Sequence, residues 1–114
     1  MYVRTSVEDG SIRKNNCDVR QLYPWENVVT PPWNSTICVV HPRESSAAHS
    51  HGMDETFIIL SGTGHVQIGD ERRDIAEGDV FYIPGDTNHI LTNTSDSKPV
   101  KFVSIYWTQG AKAG

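Results

Sequence analysis

Chemistry in this chain concentrates in His49-Ser50-His51-Gly52-Met53-Asp54-Glu55 and, far downstream, in His89. On an extended backbone successive side chains alternate faces, so His49, His51 and Glu55 point the same way. Two imidazoles and a carboxylate on one face, joined by an imidazole from another strand, make a donor set for one divalent metal ion. Packing alone gives little reason to gather three histidines there. Histidine is a borderline ligand that serves Zn, Fe(II), Mn, Ni, Co and Cu alike. The lack of thiolates at ligand spacing argues only against a Cys-rich structural zinc site. Glu55 has two roles open to it, ligand or base, with ligand preferred. A carboxylate beside a dication is pulled toward ionisation. Asp54 has the opposite parity and is expected on the outer face as a solvated acid. His41 and His65 fall outside the pattern and read as surface or loop residues.

The spacing runs on in register through Gly62, Gly78, Pro84, His89 and Asn93. Here the chain resembles the cupin superfamily, whose motifs read Gly-x5-His-x-His-x3-Glu-x6-Gly and Gly-x5-Pro-x-Gly-x2-His-x3-Asn. His49, His51, Glu55 and Gly62 match the first, and Gly78, Pro84, His89 and Asn93 the second, without insertion. The likeness spans roughly residues 33 to 107. Two positions depart from it: Arg43 stands at the leading glycine and Asp86 at the second-motif glycine, with Gly85 one place earlier. Both are turn positions where glycine supplies a positive φ. Asp tolerates that conformation better than most residues, so Asp86 is a reasonable stand-in. The resemblance implies an all-β fold, a small jelly-roll (cupin) barrel, with His49, His51, Glu55 and His89 holding the metal.

The elements that must position these groups read as short strands. Thr36 to His41, Thr56 to Leu60, His65 to Ile68, Val80 to Ile83, His89 to Thr92 and Val100 to Trp107 are apolar or alternating runs bounded by Gly, Pro, Asn and Asp. Tyr2 to Val7 alternates weakly. Residues 8 to 34 are turn-like, aromatic and proline-rich, which excludes a central strand but allows an edge or a wrapping arm. One domain is expected, with an N-terminal strand and arm over 1–34, a barrel over 35–107 and a disordered tail over 108–114. Parity places Phe57 and Ile59 on the face of Glu55, and Leu91 on that of His89. Trp33, Cys38, Phe57, Phe81, Leu91 and Trp107 are the candidate pocket residues. Parity leaves open which face of the Val80–Ile83 and Val100–Trp107 strands is inward. Tyr23, Trp25 and Trp33 either cap the pocket mouth or staple the arm.

The 114 residues carry a net charge of −4 and no basic stripe, which argues against a nucleic-acid partner. No apolar run is long enough to span a membrane, and the N-terminus lacks the core of a signal peptide. A cytoplasmic location is expected, with Cys17 and Cys38 as reduced thiols. Cys38 reads as a core residue or a pocket residue, and Cys17 as a loop residue. The aromatic arm, together with a sheet edge in need of cover, predicts a homodimer.

Pro31-Pro32-Trp33, Phe57-Ile58-Ile59 and Val103-Ser104-Ile105-Tyr106-Trp107 are similar to cupins found beside methionyl-tRNA-synthetase-like domains in hydrazine-forming natural-product pathways. That finer resemblance implies zinc on His49, His51 and His89 with Glu55 nearby. It also implies a synthetase-domain partner that makes an amino-acid ester of N-hydroxylysine, and rearrangement of that ester to form an N–N bond. The residues themselves leave other classes open. These are an Fe(II)-dependent cupin dioxygenase, a non-catalytic metal- or ligand-binding module, and an isomerase-like or sugar-binding cupin. In the enzymatic readings a small-molecule substrate shares the pocket with the metal.

Overall fold

Apolar side chains at every second position, interrupted by glycine and proline turns, leave this chain one way to bury them, between two sheets. The computed structural model of the protein describes residues 1–48 and 52–108. Their strands are β1 Ile12–Lys14, β2 Cys17–Gln21, β3 Asn34–Val40, β4 Met53–Ser61, β5 Gly64–Ile68, β6 Glu71–Ile75, β7 Val80–Ile83, β8 His89–Asn93 and β9 Val100–Thr108. A six-stranded sheet runs β1-β2-β3-β9-β4-β7 and a three-stranded sheet runs β6-β5-β8. Every pairing is antiparallel, and the two sheets form a jelly-roll barrel.

The register fixes what faces inward. Glu55 sits opposite Tyr106 and Phe57 opposite Ser104, while Thr36 sits opposite Ser104 and Cys38 opposite Phe102. Val40, Ile59, Val100 and Phe102 fill the large sheet's share of the core, and Val66, Ile75 and Leu91 the small sheet's. Phe57 joins core to cavity: it stacks on Phe102 at 4.4 Å between ring centroids and tilts against Phe81 at 5.2 Å.

Turn chemistry explains the departures from the glycine pattern. Arg43 and Asp86 both adopt the left-handed conformation, at φ 63° and 64°, so each performs the backbone role of the glycine it replaces. Gly62 is a position where glycine is required, as is Gly64, where a Cβ would stand 2.0 Å from the Thr92 carbonyl oxygen. At Gly62 both conformation and space demand it. Its φ is +94°, and a Cβ there would stand 2.5 Å from the Pro99 carbonyl oxygen.

The N-terminal third differs from the sequence-based expectation. Tyr2 to Val7 forms no strand: the Glu8 and Asp9 N–H groups close a turn on the Thr5 carbonyl, both at 3.1 Å. Arg4 pairs with Asp9 at 2.7 Å and donates to the Leu22 and Gln21 carbonyls. Arg20 closes on the same carboxylate at 2.9 Å, and its hydrogen bonds hold the Asp9 carboxyl below its ordinary range. Residues 8 to 34 are only partly an arm, since β1 and β2 lie within them and extend the large sheet. Cys17 is accordingly a buried strand residue, not a loop residue. The β1–β2 turn is Asn15-Asn16, both with positive φ, as a two-residue hairpin of type I′ demands. At the other end β9 runs through Thr108, which sits opposite Met53. The rest of the expected tail, 109–114, lies outside the described residues. No helix among the described residues is long and apolar enough to cross a membrane.

Candidate functional site

β4 delivers Glu55 and β8 delivers His89 to the same wall of a cavity of about 610 Å³. Both are buried, Glu55 at 7% exposure and His89 at 3%. Glu55 Oε1 lies 3.5 Å from His89 Nε2. The other carboxylate oxygen, Oε2, accepts a short hydrogen bond from the Ser104 hydroxyl on β9, a residue the sequence patterns did not single out. His89 Nδ1 lies 3.1 Å from the Thr87 carbonyl oxygen. A carbonyl can only accept, so Nδ1 carries the proton and the neutral ring keeps its lone pair on Nε2. That lone pair faces a carboxylate oxygen, an arrangement stabilised by a proton or a cation between the two.

The donor set therefore fits a divalent cation in kind: one imidazole nitrogen with its tautomer fixed from behind, and one carboxylate braced by a hydroxyl. Among the described residues no three His, Cys, Asp or Glu side chains converge. His49 and His51, the other two expected ligands, lie outside the described residues.

The remaining wall is mostly apolar. Cys17, Val19, Cys38, Phe57 and Phe102 line it, with Thr36, Ser104 and Tyr106 among its polar members and Lys14, Asn15, Gln21, Ser46 and Thr108 adding others. Cys38 is both things the sequence allowed, a core residue at 7% exposure and a cavity residue. Burial pushes its thiol up to about 11 and that of Cys17 up to about 12. Both stay protonated near neutral pH and are poor nucleophiles there.

Of the other expected pocket residues, Phe57 is on the wall and four are not. Leu91 is a core residue at 1% exposure, and Phe81 packs against the core beside Phe57. Trp107 lies on the outer face, because Phe102, Ser104, Tyr106 and Thr108 take the inward positions of β9. It stacks with Tyr82 at 6.4 Å. Trp33 is 45% exposed and away from the cavity. Nor does Trp25 cap the mouth. It packs edge-on against Tyr2 at 6.5 Å, under the Arg4 guanidinium.

Asp54 faces outward as its parity requires, but it is more than a solvated acid. Its Oδ1 accepts the Gly85 N–H at 2.8 Å and so braces the turn before His89. Asn93 is a satisfied strand amide. It donates to the Val40 and Lys98 carbonyls at 3.0 and 2.8 Å and accepts from the Ser95 N–H at 2.9 Å. His41 is half exposed, with Nε2 2.6 Å from Asp18 Oδ2.

Comparison with known proteins agrees with this geometry. The family model for the cupin domain matches residues 36–106. The plu4264 protein from Photorhabdus luminescens superposes with a TM-score of 0.86 at 31% identity, covering 94% of this chain and 88% of its own. A cupin 2 conserved barrel domain protein from Salinispora arenicola gives 0.84 at 29% identity, with the same coverage of 94% and 88%. A predicted oxalate decarboxylase from Thermotoga maritima gives 0.79 at 23% identity, covering 96% of this chain and 100% of its own, a likeness of fold alone.

Proposed function

This chain belongs to the cupin family, and we propose that it is a metal-dependent enzyme acting on a small molecule held in the cavity. The observation that carries this reading is the buried Glu55–His89 pair, 3.5 Å apart on the wall of a largely apolar cavity. His49, His51 and His89, with Glu55 as ligand or base, would hold one divalent ion, zinc by the finer resemblance. When bound, that ion would supply Lewis-acid polarisation of a substrate oxygen or nitrogen. The chain's own residues do the rest. Thr87 fixes the His89 ring and Ser104 fixes the Glu55 carboxylate. Phe57, Phe102 and the two protonated thiols keep water from the reacting groups. In its base role Glu55 Oε1 accepts a proton from substrate.

The most specific form of the proposal is a rearrangement of an amino-acid ester of N-hydroxylysine. The free amine attacks the lysine side-chain nitrogen, the N–N bond forms and the N–O bond breaks. The ester oxygen leaves as a carboxylate, and the amine proton passes to a base such as Glu55. The finer resemblance assigns the making of that ester to a synthetase-domain partner. We further propose a homodimer in the cytoplasm.

The test supplies a synthetase partner, lysine hydroxylated on its side-chain nitrogen, a second amino acid and ATP. Hydrazine product is expected with the wild-type chain and not with His51→Ala. Equal yield without the chain rules out this form and leaves the Fe(II) oxygenase and binding-module readings standing.

A further inference from the structure

We propose that Lys14 anchors a carboxylate of the molecule that enters the cavity, making the ligand a small organic acid whose other end reaches Glu55 and His89. This rests on the cavity being the substrate site. Lys14 is the single lysine or arginine among the described residues of its lining. The cations beside it are already committed. Arg13 pairs with Asp18 and Glu44, at 3.2 and 2.8 Å, and Arg20 pairs with Asp9. Among the described residues no carboxylate forms an ion pair with Lys14.

Its position is built rather than incidental. Lys14 sits opposite Cys17 across the Asn15-Asn16 turn, so its side chain falls on the cavity face of the hairpin. Three contacts lock that hairpin to residues 44–47. Arg13 pairs with Glu44, the Asn16 side-chain amide donates to the Ser45 carbonyl at 2.7 Å, and the Asn15 carbonyl accepts the Ala47 N–H at 2.8 Å. The turn residues need a left-handed backbone, which Asn supplies at φ 51° and 62°. Lys14 is therefore held at the lip by a short, pinned hairpin, although its side chain is exposed.

Charge then orients the ligand. The wall between lip and floor is apolar at Cys17, Val19, Cys38 and Phe57, and the carboxylate on it is Glu55. A ligand whose inner end occupies the Glu55–His89 site finds in Lys14 the one lysine or arginine of the described lining, so a carboxylate at its outer end is drawn to the mouth. The polar head at the other end goes inward, where the site can act on it. A neutral or cationic ligand gains nothing from Lys14.

Calorimetry on the zinc-loaded full chain tests this with a length series of ω-carboxyalkyl hydroxamic acids and their ω-carboxamide counterparts. The hydroxamate head probes the Glu55–His89 end, and the tail probes Lys14. At the best length the acid is expected to bind roughly fivefold more tightly than the amide, a gap that narrows with added salt. Lys14→Gln should close the gap and leave amide binding unchanged. A gap that survives Lys14→Gln, or is absent while binding still depends on His89, overturns the Lys14 assignment and spares the site. Binding indifferent to His89→Ala, or no binding by any member, overturns the site reading and this proposal with it.

Discussion

His89 and Asn93 stand on the same face of β8, and both are buried, yet the two ends of the barrel use them differently. At the closed end Asn93 spends its amide on the backbone. It ties β3 and the turn before β9 to β8, among Val40, Val100 and Phe102. At the open end His89 is oriented by one backbone carbonyl and turns Nε2 toward Glu55 on the cavity wall. The large sheet shows the same gradient. Along β4 the inward positions run Glu55, Phe57, Ile59, and along β9 they run Tyr106, Ser104, Phe102. Polar groups at one end and apolar groups at the other separate what holds the barrel together from what it can act with.

Mutation at each end should sharpen that contrast. Asn93→Ala leaves two carbonyls and an N–H without their partner in a buried site, and should cost about 3 kcal/mol, read from the urea midpoint. A loss under about 1 kcal/mol would mean that the closed end is not held this way. Ser104→Ala should cost less stability, about 1 kcal/mol, because one hydrogen bond is lost. Its larger effect should be on zinc affinity, weakened about tenfold in chelator competition and restored by Ser104→Thr, since Glu55 loses its brace. Unchanged affinity would remove Ser104 from the site.

The smallest effect is expected from the thiols. Their folded values, about 12 for Cys17 and about 11 for Cys38, lie above the ordinary 9.0. Stability from keeping them neutral is therefore complete below the unfolded value and is lost as pH rises toward 11 and 12. At pH near 8 iodoacetamide should alkylate neither Cys in the native protein and both in urea. Equal rates in the two states would contradict the burial of this wall.

How much of this was legible in the sequence depended on whether a signal was local. Period two put Glu55 and Phe57 on one face and Asp54 on the other, and motif spacing put His89 with them. The positive φ at Arg43 and Asp86 followed from their motif positions, since the turn is set by spacing even where the residue is not glycine. Strands held by charge were missed. β6 is Glu71-Arg72-Arg73-Asp74-Ile75, and β1–β2 carries Arg13, Asp18 and Arg20, so neither has an apolar alternation to read. Parity leaves the inward face of β9 open because the strand is apolar on both, and its pairing with β4 turns Trp107, a candidate pocket residue, to the outer face. Lys14 gave no signal beyond the Asn-Asn turn that follows it, and Ser104 gave none.

The central claim is that the open end holds a divalent metal through a donor set that includes His89. Its most direct test is elemental analysis of protein saturated with zinc and then exhaustively dialysed, alongside His89→Ala whose fold is checked by circular dichroism. One zinc per wild-type chain and almost none in a folded His89→Ala variant is the predicted result. Equal metal in both, or none in the wild type, would contradict it.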